Sequence, residues 1–142
     1  MEAGTPRKET PCPASSTSPR SARVAIPAAD QDRALAFYVD TLGFEKRVDE
    51  TFADGQMRWV EVAPKGAPTA IALTPPTEGG PTSVDSGIII STDDIEADHA
   101  ALKDAGVDVD PEIARWGPPV PPMFRLRDPS GNALSIVEPL QG

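Results

Sequence analysis

Apolar residues between Asp30 and Phe44 (DQDRALAFYVDTLGF) recur at spacings of three and four: Ala34, Leu35, Phe37, Tyr38 and Leu42. That spacing lays one apolar stripe along a helix. Asp30 suits the N-cap, because its carboxylate accepts from the free amides of the first turn. Gly43 suits the left-handed residue that closes a helix. The pattern comes a second time over Asp93–Val107 (DDIEADHAALKDAGV). There Asp93 is the cap, Ile95, Ala97, Ala100, Ala101 and Leu102 form the stripe, and Gly106 is the stop. Cap and stop lie 13 residues apart in each copy, and the copies are offset by 63. Repetition on this scale is repetition of a whole supersecondary unit.

Short apolar or alternating runs predict the strands. In the first half these are Arg23–Pro27, Phe44–Glu50, Gln56–Ala63 and Thr69–Thr74, with turns at Asp54-Gly55 and Pro64–Pro68. In the second half they are Gly87–Ser91, Val107–Ile113, Met123–Arg127 and Ala133–Glu138. The proline-loaded Trp116–Pro122 is read as a loop and Asp128–Asn132 (DPSGN) as a hairpin turn. Subtracting 63 from Ser135 gives Ala72, so the closing strands of the halves coincide. The expected class is α+β: two tandem βαβββ modules, about 23–75 and 86–139, joined by a Pro/Gly linker at 76–85. Neither module closes a core alone, so the two must bury their sheets against one another. Residues 1–22, rich in Pro, Ser and Thr, are expected to form a disordered tail ahead of a single domain at 23–142.

Charge narrows the function classes. The chain carries a net −9. Three basic and two acidic residues in the tail leave −10 on the rest. An acidic body argues against nucleic acid, whose phosphates demand clustered Lys and Arg. Cys12, the single cysteine, excludes an internal disulfide and a thiolate zinc cluster. No apolar run approaches the ~20 residues that cross a bilayer, and no signal peptide is visible. A cytoplasmic protein is expected.

The helix DQDRALAFYVDTLGF, the strand RWVEVAP, the echo STDDIEADHAALKDAGV, Trp116-Gly117, and DPSGN followed by LSIVEP occur in that order. Together they resemble the vicinal oxygen chelate superfamily, which includes glyoxalase I, extradiol dioxygenases and bleomycin resistance proteins. The resemblance covers roughly Ala22–Pro139. It implies a curved, cup-shaped mixed sheet, usually completed in a homodimer. It also implies a metal held by His or Glu at four strand positions facing the cup. Here spacing assigns those positions to Arg23, Ala72, Gly87 and Ser135, none of which can ligate a divalent metal. Their neighbours Val24, Ile71, Leu73, Ser86, Ile88, Leu134 and Ile136 offer no imidazole or carboxylate either. No metal and no other cofactor is therefore expected. His99, the single histidine, is read as an ordinary solvated or half-buried helical residue.

A cup without metal can still bind, as the bleomycin resistance proteins do when they sequester a cationic drug without chemistry. The expected function is metal-free small-molecule binding, of an antibiotic or a metabolite. Trp59 and Trp116 are the candidate stacking residues, each a rigid face with one N–H donor. Arg23 either holds a ligand carboxylate or phosphate or pairs with an acidic neighbour such as Glu61 or Glu138. Ala72, Gly87 and Ser135 complete the candidate lining. The alternative is a lyase, isomerase or dioxygenase of the same superfamily with an unrecognised site, in which Glu61 or Glu138 serves as acid or base. No nucleophile motif supports covalent catalysis.

Overall fold

The computed structural model describes residues 22–140. Apart from Ala22, the expected tail lies outside the described residues. The first unit runs β1 (Arg23–Pro27), α1 (Gln31–Ala36), β2 (Glu45–Phe52), β3 (Met57–Ala63) and β4 (Ala70–Thr74). The second runs β5 (Asp85–Ser91), α2 (Ile95–Asp104), β6 (Asp108–Val109), β7 (Met123–Arg127) and β8 (Ala133–Val137). Each unit forms one mixed four-stranded sheet, in the order β1-β4-β3-β2 and β5-β8-β7-β6. The first strand pairs parallel with the fourth in both, as a βαβββ chain requires.

The two copies are not in uniform register. Asp94, not Asp93, caps α2, accepting from the amide of Ala97 at 3.0 Å. Asp30 caps α1 in the same way, through the amide of Arg33 at 3.0 Å. The caps are thus 64 residues apart while the closing glycines, Gly43 and Gly106, are 63 apart. A wide turn over Phe37–Thr41 absorbs the difference, because Leu42 N–H reaches back five residues to the Phe37 carbonyl at 3.0 Å. At the helix ends Phe44 N–H bonds the Tyr38 carbonyl, six residues back, whereas Val107 N–H bonds Leu102, five back. The strand expected over Val107–Ile113 shrinks to Asp108–Val109. Pro111 has no N–H to give to a ladder.

One apolar cluster spans both units. Ile26, Tyr38, Val60, Val62 and Leu73 from the first join Ile95, Phe124, Leu126 and Leu134 from the second. Each fully buried large side chain contributes about 1.5–3 kcal/mol. The helix-covered sides of the two sheets share this core, so the opposite face of each sheet carries no helix. A buried polar knot ties the units together. Tyr38 Oη donates to Asp128 Oδ2 at 2.7 Å, and Asn132 Nδ2 donates to the Pro27 carbonyl at 2.8 Å. Asn132 Oδ1 in turn accepts from Val84 N–H. The DPSGN turn is structural, as its composition suggests: Asp128 Oδ1 accepts from the amides of Ser130 and Asn132. Burial pushes the Tyr38 phenol far above its ordinary value, and the adjacent Asp128 carboxylate adds to the shift.

Candidate functional site

Strand alternation sorts the side chains of the first sheet. In β1 and β4, Val24, Ile26, Ile71 and Leu73 turn to the helix side, and Arg23, Ala25, Ala70 and Ala72 to the open side. The ladders extend that open face: Ala72 lies opposite Glu61, Val48 opposite Glu61 on the far side, Glu50 opposite Trp59, and Phe52 opposite Met57. Across the face run Arg23, Ala72, Glu61, Trp59, Met57 and Phe52.

Glu61 organises this face. It is only 4% exposed, and its Oε2 accepts from Trp59 Nε1 at 2.6 Å and from Arg23 Nε at 2.8 Å. A buried carboxylate is tolerable only with such donors. The side chain of Arg23 remains 60% exposed. Trp59, Met57 and Phe52 are also exposed, an unusual grouping of large apolar side chains on one sheet face. Of the two alternatives for Arg23, the acidic pairing with Glu61 is the one the structure shows. Glu138 is engaged elsewhere, its Oε1 accepting from Ile95 N–H at the start of α2.

The second sheet repeats the plan with different side chains. Ser135 stands opposite Ile89 on β5 and Arg125 on β7, as Ala72 stands opposite Ala25 and Glu61. Arg125 therefore holds the ladder place of Glu61, and the sign of the charge is inverted. Arg125 Nη2 pairs with Asp85 Oδ2 at 2.7 Å, and Arg127 pairs with Asp110 at 3.0 Å. Gly87 sits in a bulge of β5, where the ladder passes from Asp85 to Ile89. Its φ of +72° is one that a side chain would strain. Ser86 Oγ pins that bulge, donating to the Ala133 carbonyl and accepting from Ile88 N–H.

The structure brings Arg23, Ala72 and Trp59 together on one face and places Ser135 on the equivalent face of the other sheet. Gly87 lines a groove of about 480 Å³ between the start of β1 and β4 and the length of β5, with Val24, Ile71, Ile88 and Ile90. Trp116 is 69% exposed in the loop between β6 and β7. His99 Nε2 donates to the Asp110 carbonyl at 2.7 Å, and its ring meets Phe124 edge-on. Among the described residues no group of three or more His, Cys, Asp or Glu is gathered as a metal site.

Phe52 and Ile89 were not singled out by the sequence. Phe52 could have been found by pairing it with Met57 across the Asp54-Gly55 turn. Ile89, 62% exposed, is hidden in the run Ile88–Ile90, which has no polar contrast to show its face.

A family model described as Glyoxalase/Bleomycin resistance protein/Dioxygenase superfamily matches residues 20–136. Among solved structures, TnmS3, an antibiotic binding protein from Streptomyces sp. CB03234, is 32% identical. The match covers 88% of this chain and 99% of that one, with a TM-score of 0.72. A superfamily member from Sphaerobacter thermophilus DSM 20745 is 34% identical, covering 85% and 98%, with a TM-score of 0.74. The uncharacterized protein YetH of Bacillus subtilis is 29% identical over 118 residues, 81% of this chain and 94% of its own. With the βαβββ order present twice and the family model spanning nearly all of it, the chain belongs to the Glyoxalase/Bleomycin resistance protein/Dioxygenase superfamily.

Proposed function

We propose that this chain is a metal-free, cytoplasmic binding protein that sequesters a small organic molecule, an antibiotic or a metabolite, on its open sheet faces. The observation that carries the reading is the Glu61-centred pair of Arg23 and Trp59, flanked by exposed Met57 and Phe52. A rigid aromatic face beside a fixed cation and flexible apolar side chains is the make-up of a recognition surface. The likeness to TnmS3, an antibiotic binding protein, supports the same reading.

The donor set at Arg23, Ala72, Gly87 and Ser135 does not fit the superfamily's metal. A guanidinium stays protonated and repels a cation, and the other three offer no anionic or imidazole donor. No catalytic step through a metal follows for this chain. The enzymatic alternative would rest on Glu61, which is buried and whose Oε2 is already taken by two short hydrogen bonds. The geometry therefore favours binding over proton transfer.

The working form in this proposal is a homodimer. One chain leaves both helix-free faces open, so each is half a cup. A second copy that laid its Arg125 face over the Glu61 face would cover exposed Trp59, Met57, Phe52 and Ile89 twice. Light scattering with equilibrium dialysis against a panel of aromatic antibiotics and metabolites tests the proposal. Dimer mass with saturable uptake of at least one compound is expected. A monomer that retains nothing would refute it.

A further inference from the structure

We infer that the open face of the first unit selects flat aromatic molecules bearing an anionic oxygen, rather than the cationic ligands that the chain's overall charge would attract. The inference rests on the binding role proposed above and names the ligand class of that same face.

Glu61 takes Arg23 through Nε, the inner nitrogen, so the fork of terminal N–H groups is not the part it holds. That fork belongs to a side chain that is 60% exposed, and a planar fork of N–H donors fits a carboxylate or phenolate. Trp59 has spent its one N–H on the same carboxylate oxygen, so what it offers a ligand is its ring. Guanidinium and indole are neighbours because both reach Oε2, and the ladder places Met57 and Phe52 further along the same face. Polar recognition by this set therefore runs in one direction, from protein donor to ligand acceptor.

A cation has less to bind. Glu61 is 4% exposed and its Oε2 already serves two donors. Two other acidic groups share this face: Glu45, opposite Ala63 and already paired with Arg47, and Glu50, exposed opposite Trp59 on the edge strand β2 and the one that speaks for a cation. It makes the test a contest between Arg23 and Glu50. Charges farther from the face than the Debye length of about 8 Å are largely screened at physiological salt, so the contact groups decide.

Two isosteric probes of opposite charge, 2-naphthoate and 2-naphthylmethylammonium, separate the outcomes by isothermal titration of the full chain. Naphthoate is expected to bind at least tenfold more tightly. Arg23→Met is expected to remove the preference, and Arg23→Lys to leave part of it while keeping a charge beside Glu61. Thermal melts check that both variants fold. An ammonium probe that binds as tightly, or a preference unchanged in Arg23→Met, overturns the selection and leaves the binding role standing. Failure of both probes at millimolar concentration also overturns it. In that case the dialysis panel alone decides the binding role.

Discussion

The hydroxyl of Tyr38 donates to Oδ2 of Asp128 at 2.7 Å across 90 residues of sequence, and both side chains are buried. This contact ties the wide turn after α1 to the hairpin between β7 and β8. Tyr38→Phe removes a donor to a buried carboxylate without opening a cavity. The expected loss is about 1.5–3 kcal/mol in urea denaturation. A loss below about 0.5 kcal/mol would mean that the knot is not holding the units together.

Tyr38 is also the single tyrosine of the chain, which makes its ionisation readable. Its folded pKa is raised above the ordinary 10.0, so the folded state keeps a proton that the unfolded state releases. Stability from this group is fully present below pH 10 and falls as pH rises above it. Ultraviolet titration is expected to show no phenolate near pH 10 in the native protein, and then ionisation together with alkaline unfolding. A simple transition near 10 with the fold intact would show an accessible phenol.

The register shift gives a paired test. Asp94→Ala removes the α2 cap and is expected to cost about 1 kcal/mol. Asp93→Ala, one residue earlier, is expected to cost close to nothing. Chemical denaturation of the two variants side by side checks the assignment, and the reverse order would restore the uniform offset.

That shift also shows what was legible in the chain. The repeat, the caps as a class, the closing glycines and the coincidence of Ala72 with Ser135 all follow from periodicity, because each half folds by the same local rules. The choice of Asp94 over Asp93 does not, since adjacent carboxylates look alike and only the bond from the Ala97 amide tells them apart. Arg23 and Trp59 stood out as a cation and an aromatic on otherwise ordinary strands. Trp59 shares the face of Glu61 by alternation along β3, and Glu61 is one of the two acidic partners the chain offers Arg23. Its choice over Glu138 is a property of sheet register, which short strands and a bulge leave unspecified in a single sequence. Trp116 lies in a proline-rich loop, and a loop places a side chain wherever its path runs, which no periodicity in the chain predicts.

Arg58 provides a second pH dependence. It grips both oxygens of Asp49, at 2.8 and 3.0 Å, and also pairs with Asp32 at 2.6 Å. The guanidinium holds the Asp49 carboxyl below its ordinary 3.8. Stability from the pair is therefore present above pH 3.8 and lost as pH falls through the lower, folded value. Arg58→Met is expected to destabilise the protein at pH 7 and to approach the parent in acid, where the carboxyl is protonated in both. A gap that persists undiminished into acid would assign the loss to packing of the Arg58 stem.

Glu61 acts on any ligand through Arg23 and Trp59, so it is a positioning residue. Glu61→Gln keeps the shape and one acceptor but discards the charge that fixes the guanidinium. The expected result is about tenfold weaker ligand binding, about 1.4 kcal/mol, with a melting temperature close to the parent. Unchanged affinity would mean that Arg23 needs no anchor.

The most direct test uses the Trp116→Phe protein, whose remaining tryptophan is Trp59. Its fluorescence is titrated with the retained compounds of the dialysis panel, before and after exhaustive chelation. Saturable quenching or a spectral shift, the same in both states, is the expected result. A response that disappears on chelation, or no response to any retained compound, would contradict metal-free binding at the Glu61 face.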